Sequence, residues 1–284
     1  MNQKICVAGA GTMGSGIALA AAQAGFAVTL FDTNPAVLEK ANTAIHNNLQ
    51  FLVDKQKIAA QEMDSISKRI AYTSLIEQCS ADIIIEAIIE KLEAKVELFK
   101  QLASVNTPMT IFASNTSSLS ISALQKRAAF PDRVAGLHFF NPAQIMKLVE
   151  VVKGAFTTDE VISQLVEVCR KMNKTPVVCK DSPGFIVNRV ARHYYLEAMK
   201  LVENNIVSFA DADKIMEATG FKMGPFKLMD LIGMDINLAV SQSLYEAFGN
   251  EPRLKPSPLQ VEKVAKGELG KKTGKGFYTY NGKA

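Results

Sequence analysis

The sequence contains only three histidines, and one of them, His138, ends a run of apolar residues that is typical of a buried strand. The next strand-like run, residues 147–152, carries a single acid, Glu150, among apolar side chains. A buried carboxylate is costly unless it is paired, and an imidazole is a natural partner for it. Such a pair fixes the tautomer of the ring, which can then exchange a proton near neutral pH. The two residues therefore predict an acid–base pair suited to moving a proton on or off an alcohol.

A second group of polar residues follows another strand-like run, at residues 109–113. It reads Ser-Asn-Thr-Ser-Ser over residues 114–118, which is more than one helix cap needs. Asn188 lies near the start of a later helix, where two domains are expected to meet. Each feature is compatible with a site or with ordinary capping and surface roles, and the spacing alone leaves both interpretations open.

The first thirty-two residues predict a binding site for a dinucleotide. A buried strand runs into a G-x-G-x-x-G turn formed by Gly9, Gly11 and Gly14, a helix follows, and a second strand ends at Asp32. The glycines allow a tight turn, a close approach of the backbone to a pyrophosphate and close helix packing, and the helix N-terminus attracts the anion. Asp32 can accept hydrogen bonds from the ribose and would repel a 2′-phosphate, so we expect NAD rather than NADP.

Strand-like and helical runs alternate through the first two thirds of the chain, which predicts a doubly wound, mostly parallel α/β sheet of the Rossmann type. A polar-rich helical stretch over residues 35–70 is expected to project from this sheet. We predict strands near residues 4–8, 27–31, 82–86, 109–113, 134–138, 147–152 and 175–179.

No further strand-like run precedes the extreme C-terminus after Pro183-Gly184, so we predict an all-α second domain. The predicted domains are residues 1–183, which bind the dinucleotide, and residues 184–284, which bind substrate and form a dimer, because a helical domain of this size is small for its own core. The expected helices are residues 185–204, 208–219, 225–248 with a break near Gly233, and 257–267.

The composition argues against several classes of partner. The net charge of +4 comes from 32 basic and 28 acidic residues, which fits an anionic small molecule and predicts no nucleic-acid partner. The apolar runs are too short to span a membrane, and the first strand begins too early to leave room for a targeting segment. The four cysteines are expected to be buried thiols in a reducing, cytoplasmic compartment, and no metal site is predicted.

Taken together, these motifs resemble the L-3-hydroxyacyl-CoA dehydrogenases, and the short bacterial 3-hydroxybutyryl-CoA dehydrogenases most closely. The resemblance covers essentially the whole chain. It is carried by Ser-Asn-Thr-Ser-Ser-Leu at 114–119, His-Phe-Phe-Asn-Pro at 138–142, Met-Lys-Leu-Val-Glu-Val at 146–151, Asp-Ser-Pro-Gly-Phe-Ile-Val-Asn-Arg at 181–189, Met-Gly-Pro-Phe at 223–226 and Gly-Lys-Lys-Thr-Gly-Lys-Gly-Phe-Tyr at 270–278.

The resemblance implies a role for each matching residue. His138 would be the general acid/base and Glu150 would orient it, while Ser117 and Asn188 would hold the reacting oxygen and the thioester. Coenzyme A would contact Asn48 and Lys55, and the cofactor would be NAD. The implied cofactor contacts are Gly9, Gly11, Thr12, Met13, Gly14, Asp32, Glu90, Lys95, Ser117, Asn141 and Lys272.

Two alternatives remain open at this stage. A related β-hydroxyacid dehydrogenase that does not use coenzyme A would share the fold, but such relatives commonly use a lysine base. An NAD-binding structural protein of the crystallin kind would also share it. The sequence departs from the common pattern at Phe221, Lys222, Lys227 and Met229, all in the second domain, which leaves the preferred acyl chain open.

Overall fold

A sheet of eight strands forms the first part of the computed structural model, which describes residues 3–280. The strand order is β3-β2-β1-β4-β5-β6-β7-β8, so the chain order reverses beside β1, and such a switch point opens a crevice at the carboxyl ends of the strands. The strands are β1 (Lys4–Ala8), β2 (Ala27–Phe31), β3 (Ile70–Thr73), β4 (Ile83–Glu86), β5 (Ile111–Ser114), β6 (Val134–Phe139), β7 (Leu148–Lys153) and β8 (Thr175–Lys180).

The pairing of neighbouring strands is parallel except between β6 and β7, which are antiparallel. Residues 140–147 join these two strands without a helix, and a connection this short cannot carry the chain back to the start of a parallel neighbour. The prediction of a doubly wound, mostly parallel sheet is confirmed, and the antiparallel return of β7 is a detail that the alternation of elements did not indicate.

Six helices connect these strands. They are α1 (Thr12–Gln23), α2 (Pro35–Asp54), α3 (Ala60–Ser67), α4 (Leu92–Ser104), α5 (Ile121–Gln125) and α6 (Asp159–Lys171). Alanines and glycines make up half of α1, and these small side chains let the helix pack closely against the sheet. This close packing brings the first turn of α1 to the carboxyl end of β1, where a bound anion would meet its free N–H groups.

The helical stretch predicted over residues 35–70 differs from the structure in two ways. It consists of α2 and α3, and Ile70 already begins β3, a strand that the sequence analysis missed. It also does not stand apart from the sheet domain, since one face of α2 is buried in the main hydrophobic core. The buried side chains recur at helical spacing and are Leu38, Ala41, Ile45 and Leu49.

The chain folds as two units, one ending at Ser182 and the other beginning at Pro183. The second unit is helical, as predicted, and the expected break near Gly233 is present, where the backbone turns with φ of +103°. Its helices are α7 (Val187–Glu203), α8 (Phe209–Ala218), α9 (Pro225–Ile232), α10 (Met234–Ala247) and α11 (Pro258–Ala265).

Buried Asp230 of α9 holds the segment that follows α11. Its carboxylate accepts hydrogen bonds from the backbone N–H groups of Phe277 and Tyr278, both at 2.9 Å. Lys272 in the same segment forms an ion pair with Asp235 of α10 at 2.5 Å. The glycine- and lysine-rich tail is therefore fixed within the second unit by two acids.

The cysteines are unpaired, but they are not all buried as expected. Cys6, Cys79 and Cys169 are buried, whereas Cys179 on the edge strand β8 is partly exposed, so that expectation was wrong for this residue. Burial raises the pKa of the Cys179 thiol to about 11, with smaller contributions from Glu150 and Asp181. Within residues 3–280, none of the helices is long and apolar enough to cross a membrane.

Candidate active site

His138 and Glu150 face each other across the antiparallel pair β6–β7. They are direct register partners, and His138 Nδ1 lies 2.7 Å from Glu150 Oε2. The Glu150 side chain is 1 % exposed and the His138 side chain 8 % exposed. An ionised carboxylate accepts a hydrogen bond and cannot donate one, so with Glu150 ionised Nδ1 carries the proton, and Nε2 is the basic nitrogen of the neutral ring. Register partners on neighbouring strands point to the same face of the sheet, so the register of the β6–β7 pair brings the two side chains together.

The end of β6 is held by a side chain from the neighbouring loop. Asn115 Oδ1 accepts a hydrogen bond from the backbone N–H of Phe139 at 2.8 Å, directly after His138. The Asn115 backbone N–H in turn donates to the carbonyl of Glu86 at 2.7 Å. The ring of Phe140 lies 4.5 Å from the His138 ring, measured between centroids. These contacts limit the freedom of the imidazole on both sides.

The glycine turn after β1 has the geometry that a pyrophosphate requires. A Cβ at Gly9, where φ is +106°, would lie 2.6 Å from the Ala87 carbonyl oxygen, and a Cβ at Gly14 would lie 1.7 Å from the Gly9 carbonyl oxygen. A Cβ at Gly11 would meet no atom within 4 Å, so there is open space above this residue. Within residues 3–280, no side chain caps the amino end of α1, so its first N–H groups can be offered to an anion. The residues fit a dinucleotide.

Asp32 stands at the carboxyl end of β2, beside this turn. Its Oδ2 accepts a hydrogen bond from the Ala10 N–H at 2.9 Å and its Oδ1 accepts one from the Asn34 N–H at 3.0 Å. A carboxylate oxygen can accept more than one hydrogen bond, so both oxygens can also receive ribose hydroxyls. Asp32 therefore ties the glycine turn to β2 and leaves a negative charge next to the turn.

A cleft of about 450 Å³ adjoins the glycine turn. Gly11 and Thr12 of the predicted cofactor set line it together with Asn48 and Asn141. Gln144 Nε2 donates to Asn48 Oδ1 at 3.3 Å, which connects α2 to the loop after β6. The structure thus brings predicted cofactor and substrate residues to one cleft in the first unit.

Glu90 anchors the polar loop that follows β5. Its Oε1 accepts hydrogen bonds from the Thr116 hydroxyl at 2.6 Å and from the backbone N–H groups of Ser117 and Ser118 at 2.9 and 3.1 Å. Burial raises the pKa of Glu90, but the charge of Lys95 and these hydrogen bonds outweigh that effect, so the pKa lies below its usual value. Glu90 is therefore an ionised anchor for the loop that carries Ser117.

Lys95 lies beneath Glu90 and is 1 % exposed. Its Nζ is 2.7 Å from Glu86 Oε1 and 3.1 Å from Glu90 Oε2. Glu86, which is fully buried at the end of β4, also accepts hydrogen bonds from the Ser114 hydroxyl at 2.6 Å and the Ile88 N–H at 2.7 Å. Two carboxylates thus share one buried ammonium under the loop.

Other predicted site residues lie apart from this cluster. Met13 packs against the main core, and Lys55 is an exposed residue at the end of α2 with its Nζ over the Phe51 ring at 5.7 Å. Asn188 in α7 and Lys272 in the tail belong to the second unit. The cofactor and substrate roles of these residues stay predictions.

Two residues of the site, Glu86 and Asn115, were not predicted from the sequence. Glu86 is an acid in an otherwise apolar strand, which is the same signal that singled out Glu150, and applying it evenly would have found the residue. The role of Asn115 had no comparable signal, because an asparagine after a strand is as typical of a turn as of a contact to another strand.

Comparisons with known proteins agree with this geometry over both units. Residues 4–182 match the family model "3-hydroxyacyl-CoA dehydrogenase, NAD binding domain", and residues 184–280 match "3-hydroxyacyl-CoA dehydrogenase, C-terminal domain". The chain belongs to the 3-hydroxyacyl-CoA dehydrogenase family. Its first unit is accordingly an NAD-binding domain of this family, and the resemblance drawn from the motifs is confirmed.

Individual relatives within the family differ in length and in name. The chain is 46 % identical over 280 residues to a 3-hydroxyadipyl-CoA dehydrogenase of Escherichia coli, covering 98 % of this chain and 59 % of the relative. It is 41 % identical to a probable 3-hydroxybutyryl-CoA dehydrogenase of Bacillus subtilis, covering 99 % of this chain and 98 % of that protein. A crystal structure of 3-hydroxybutyryl-CoA dehydrogenase from E. coli matches with a TM-score of 0.96 and 45 % identity, over 100 % of this chain and 61 % of that one. The chain thus spans about three fifths of the length of the two E. coli proteins.

Proposed function

We propose that this protein catalyses the reversible, NAD-dependent oxidation of an L-3-hydroxyacyl-CoA to the corresponding 3-ketoacyl-CoA. The observation that carries the proposal is the 2.7 Å contact between His138 Nδ1 and Glu150 Oε2, in a family whose name states this chemistry. Oxidation of the alcohol requires a base for the hydroxyl proton, and an imidazole whose Nδ1–H is held by Glu150 is suited to that task.

The proton transfer is assigned to side chains of this protein. His138 Nε2 takes the proton from the substrate hydroxyl as the C3–O bond becomes a carbonyl, and it returns the proton in the reverse reaction. Buried Glu150 stabilises the imidazolium that forms, because its charge is poorly screened at 1 % exposure. Ser117, on the loop held by Glu90, and Asn188 orient the reacting oxygen and the thioester.

The glycine turn is assigned to binding the cofactor, which the hydride transfer requires. Gly9, Gly11, Thr12 and Gly14 hold the pyrophosphate, and Asp32 binds the adenosine ribose. When bound, NAD would supply the acceptor for the hydride that leaves carbon 3 of the substrate. Further cofactor contacts are assigned to Met13, Glu90, Asn141 and Lys272, with Lys95 acting through Glu90 because it is buried beneath that carboxylate.

The substrate is proposed to be a short acyl-CoA such as 3-hydroxybutyryl-CoA. Asn48 lines the cleft beside the glycine turn, which supports its assignment to coenzyme A, and Lys55 near the end of the same helix offers a positive charge to a phosphate. The names of the relatives include both 3-hydroxybutyryl-CoA and 3-hydroxyadipyl-CoA dehydrogenases, so a chain-length series is the direct test of acyl preference.

We also propose a homodimer that forms through the helical unit, in the cytoplasm. Large apolar side chains are exposed on that unit, among them Ile206, Ile215 and Ile236, and a second copy would cover such a surface. The unpaired cysteines suit a reducing compartment. Sedimentation showing only a monomer at micromolar concentration would contradict the dimer.

The proposed activity is tested by following the absorbance of NADH during reduction of acetoacetyl-CoA. We expect rapid oxidation of NADH, a much slower reaction with NADPH, and no reaction with free acetoacetate. Activity with the free acid alone would instead indicate a β-hydroxyacid dehydrogenase without coenzyme A. NADH binding without turnover of any acyl-CoA would indicate a structural protein.

A further inference from the structure

Arg133 is a buried cation that the proposed reaction does not use. It directly precedes β6, and its side chain is 6 % exposed. Nη2 donates to the Met109 carbonyl, whereas Nε is buried without an acceptor within residues 3–280. No carboxylate in the same residues forms an ion pair with this guanidinium. An unpaired buried charge is costly, so its presence points to a counter-ion that the folded chain itself does not supply.

A second buried arginine shows how the fold treats such a charge elsewhere. Arg192 Nη1 donates to the carbonyl and the side-chain oxygen of Asn237 at 2.9 and 3.1 Å and to the Ser241 hydroxyl at 2.8 Å. Its guanidinium also lies over the Tyr195 ring at 5.2 Å. Within residues 3–280, Arg192 Nε also has no acceptor, but the Arg192 guanidinium has three acceptors at Nη1 and an aromatic ring beneath it, whereas the Arg133 guanidinium has a single carbonyl.

Arg133 lines a cleft of about 410 Å³ that we name the amino-edge pocket. Its walls are the amino ends of β1, β4, β5 and β6, where Lys4, Asp82 and Thr110 also face it. The pocket lies at the amino ends of the strands, whereas His138 lies near the carboxyl end of β6, about 17 Å away along that strand. It is therefore separate from the dinucleotide turn and the acid–base pair.

The charges of the amino-edge pocket favour an anion. Its ionisable groups are Lys4, Arg133 and Asp82, which gives one net positive charge. Lys4 forms no ion pair within residues 3–280. Asp82 opposes an anion, but its Oδ2 is already engaged by the backbone N–H of Lys4 at 2.7 Å. The exposed Ser80 hydroxyl lines the same pocket and can donate a further hydrogen bond.

We propose that the amino-edge pocket binds a dianionic phosphate group, either inorganic phosphate or a small phosphate monoester. Arginine suits this ligand because its planar group of N–H donors matches the oxygens of a phosphate, and lysine adds a point charge. The Arg133 guanidinium and the Lys4 ammonium are the groups that would meet it. Such a ligand would neutralise the buried guanidinium. It would also connect the amino ends of four strands, at the end of the sheet remote from the candidate active site.

The test is titration calorimetry with inorganic phosphate and, separately, glycerol 3-phosphate, with NADH saturating throughout so that the dinucleotide turn is occupied. Wild-type protein is expected to bind at least one of the two ligands, and which of them binds identifies the source of the phosphate. Arg133→Met should weaken binding at least tenfold, and Lys4→Gln should weaken it several-fold. The matched control is Arg127→Met, since Arg127 is an exposed arginine paired with Glu93, and its affinity should equal that of wild type.

Asp82→Asn provides a test in the opposite direction. An amide of the same shape keeps an acceptor for the Lys4 N–H and removes the opposing charge, so phosphate should bind several-fold more tightly. No binding to wild type, or equal binding by wild type and Arg133→Met, would overturn the proposal. If the Arg133 variant did not fold, an unchanged affinity in both Lys4→Gln and Asp82→Asn would overturn it as well.

Discussion

At the scale of single residues, acids inside apolar strands were the most useful signal in the sequence. Glu150 stood out because a charge among buried apolar residues needs a partner, and the structure places His138 opposite it. Glu86 carried the same signal and proved to hold Lys95. A hydrogen bond such as the one from Phe139 to Asn115 could not be predicted, because it depends on how two loops meet rather than on any residue pattern.

Asp32→Asn separates the two tasks that the structure and the proposal give to this carboxylate. The amide oxygen can still accept a hydrogen bond from one backbone N–H. The side chain loses the negative charge that strengthens its hydrogen bonds to the glycine turn and to the ribose hydroxyls. The Michaelis constant for NADH should rise about tenfold or more, since hydrogen bonds to charged groups contribute about 1.5–3 kcal/mol. The preference for NADH over NADPH should fall. Asp64→Asn, at an exposed acid on α3, is the control, and an unchanged constant for NADH in Asp32→Asn would refute the ribose contact.

Glu90 predicts a pH dependence of stability. Its pKa is lower in the folded protein than the ordinary value of 4.5, so its contribution is fully present above that pH and is lost as the pH falls through the lower, folded-state pKa. Urea midpoints should therefore decline more steeply below about pH 4.5 in wild type than in Glu90→Gln. Glu97→Gln, at an exposed position on α4, should follow wild type. Parallel declines in wild type and Glu90→Gln would show that Glu90 is not held ionised by the fold.

At the scale of elements, the periodic patterns predicted most strands and helices, and the close backbone approaches at Gly9 and Gly14 agree with the tight glycine turn expected from the sequence. The exception, β3, is only four residues long, and it follows a helix closely enough to be read as its continuation. The antiparallel direction of β7 was also not predicted, because the direction of a strand depends on the length of the connection before it rather than on the strand's own residues. That direction matters most for the site, since it sets Glu150 opposite His138.

Lys95→Met tests the buried ion network that ties α4 to β4. Removal of the ammonium leaves Glu86 at 0 % exposure and part of Glu90 without a counter-charge, which is typically destabilising by about 3–5 kcal/mol. The free energy of unfolding in urea should fall by roughly that amount. Lys100→Met on the exposed side of the same helix should change it little. Equal stabilities of the two variants would mean that the network contributes nothing to the fold.

At the scale of the whole molecule, the sequence was sufficient to predict the family, because several motifs from both units matched in order. Features that depend on how this particular chain packs could not be predicted from the sequence. Nothing around Arg133 indicated a pocket, since four strand ends supply its walls from distant parts of the chain. Assignment of the acyl group also lies beyond the motifs, because the relatives that share them are named for different acyl-CoA substrates.

We propose above all that the imidazole of His138, oriented by Glu150, moves the proton in a dehydrogenase reaction on an acyl-CoA. The most direct measurement is kcat for acetoacetyl-CoA reduction by His138→Gln, alongside the dissociation constant for NADH measured by fluorescence. We expect kcat to fall by about two to four decades while NADH binding stays as in wild type, because only the acid–base step is lost. A variant that retained wild-type kcat would show that His138 does not move the proton.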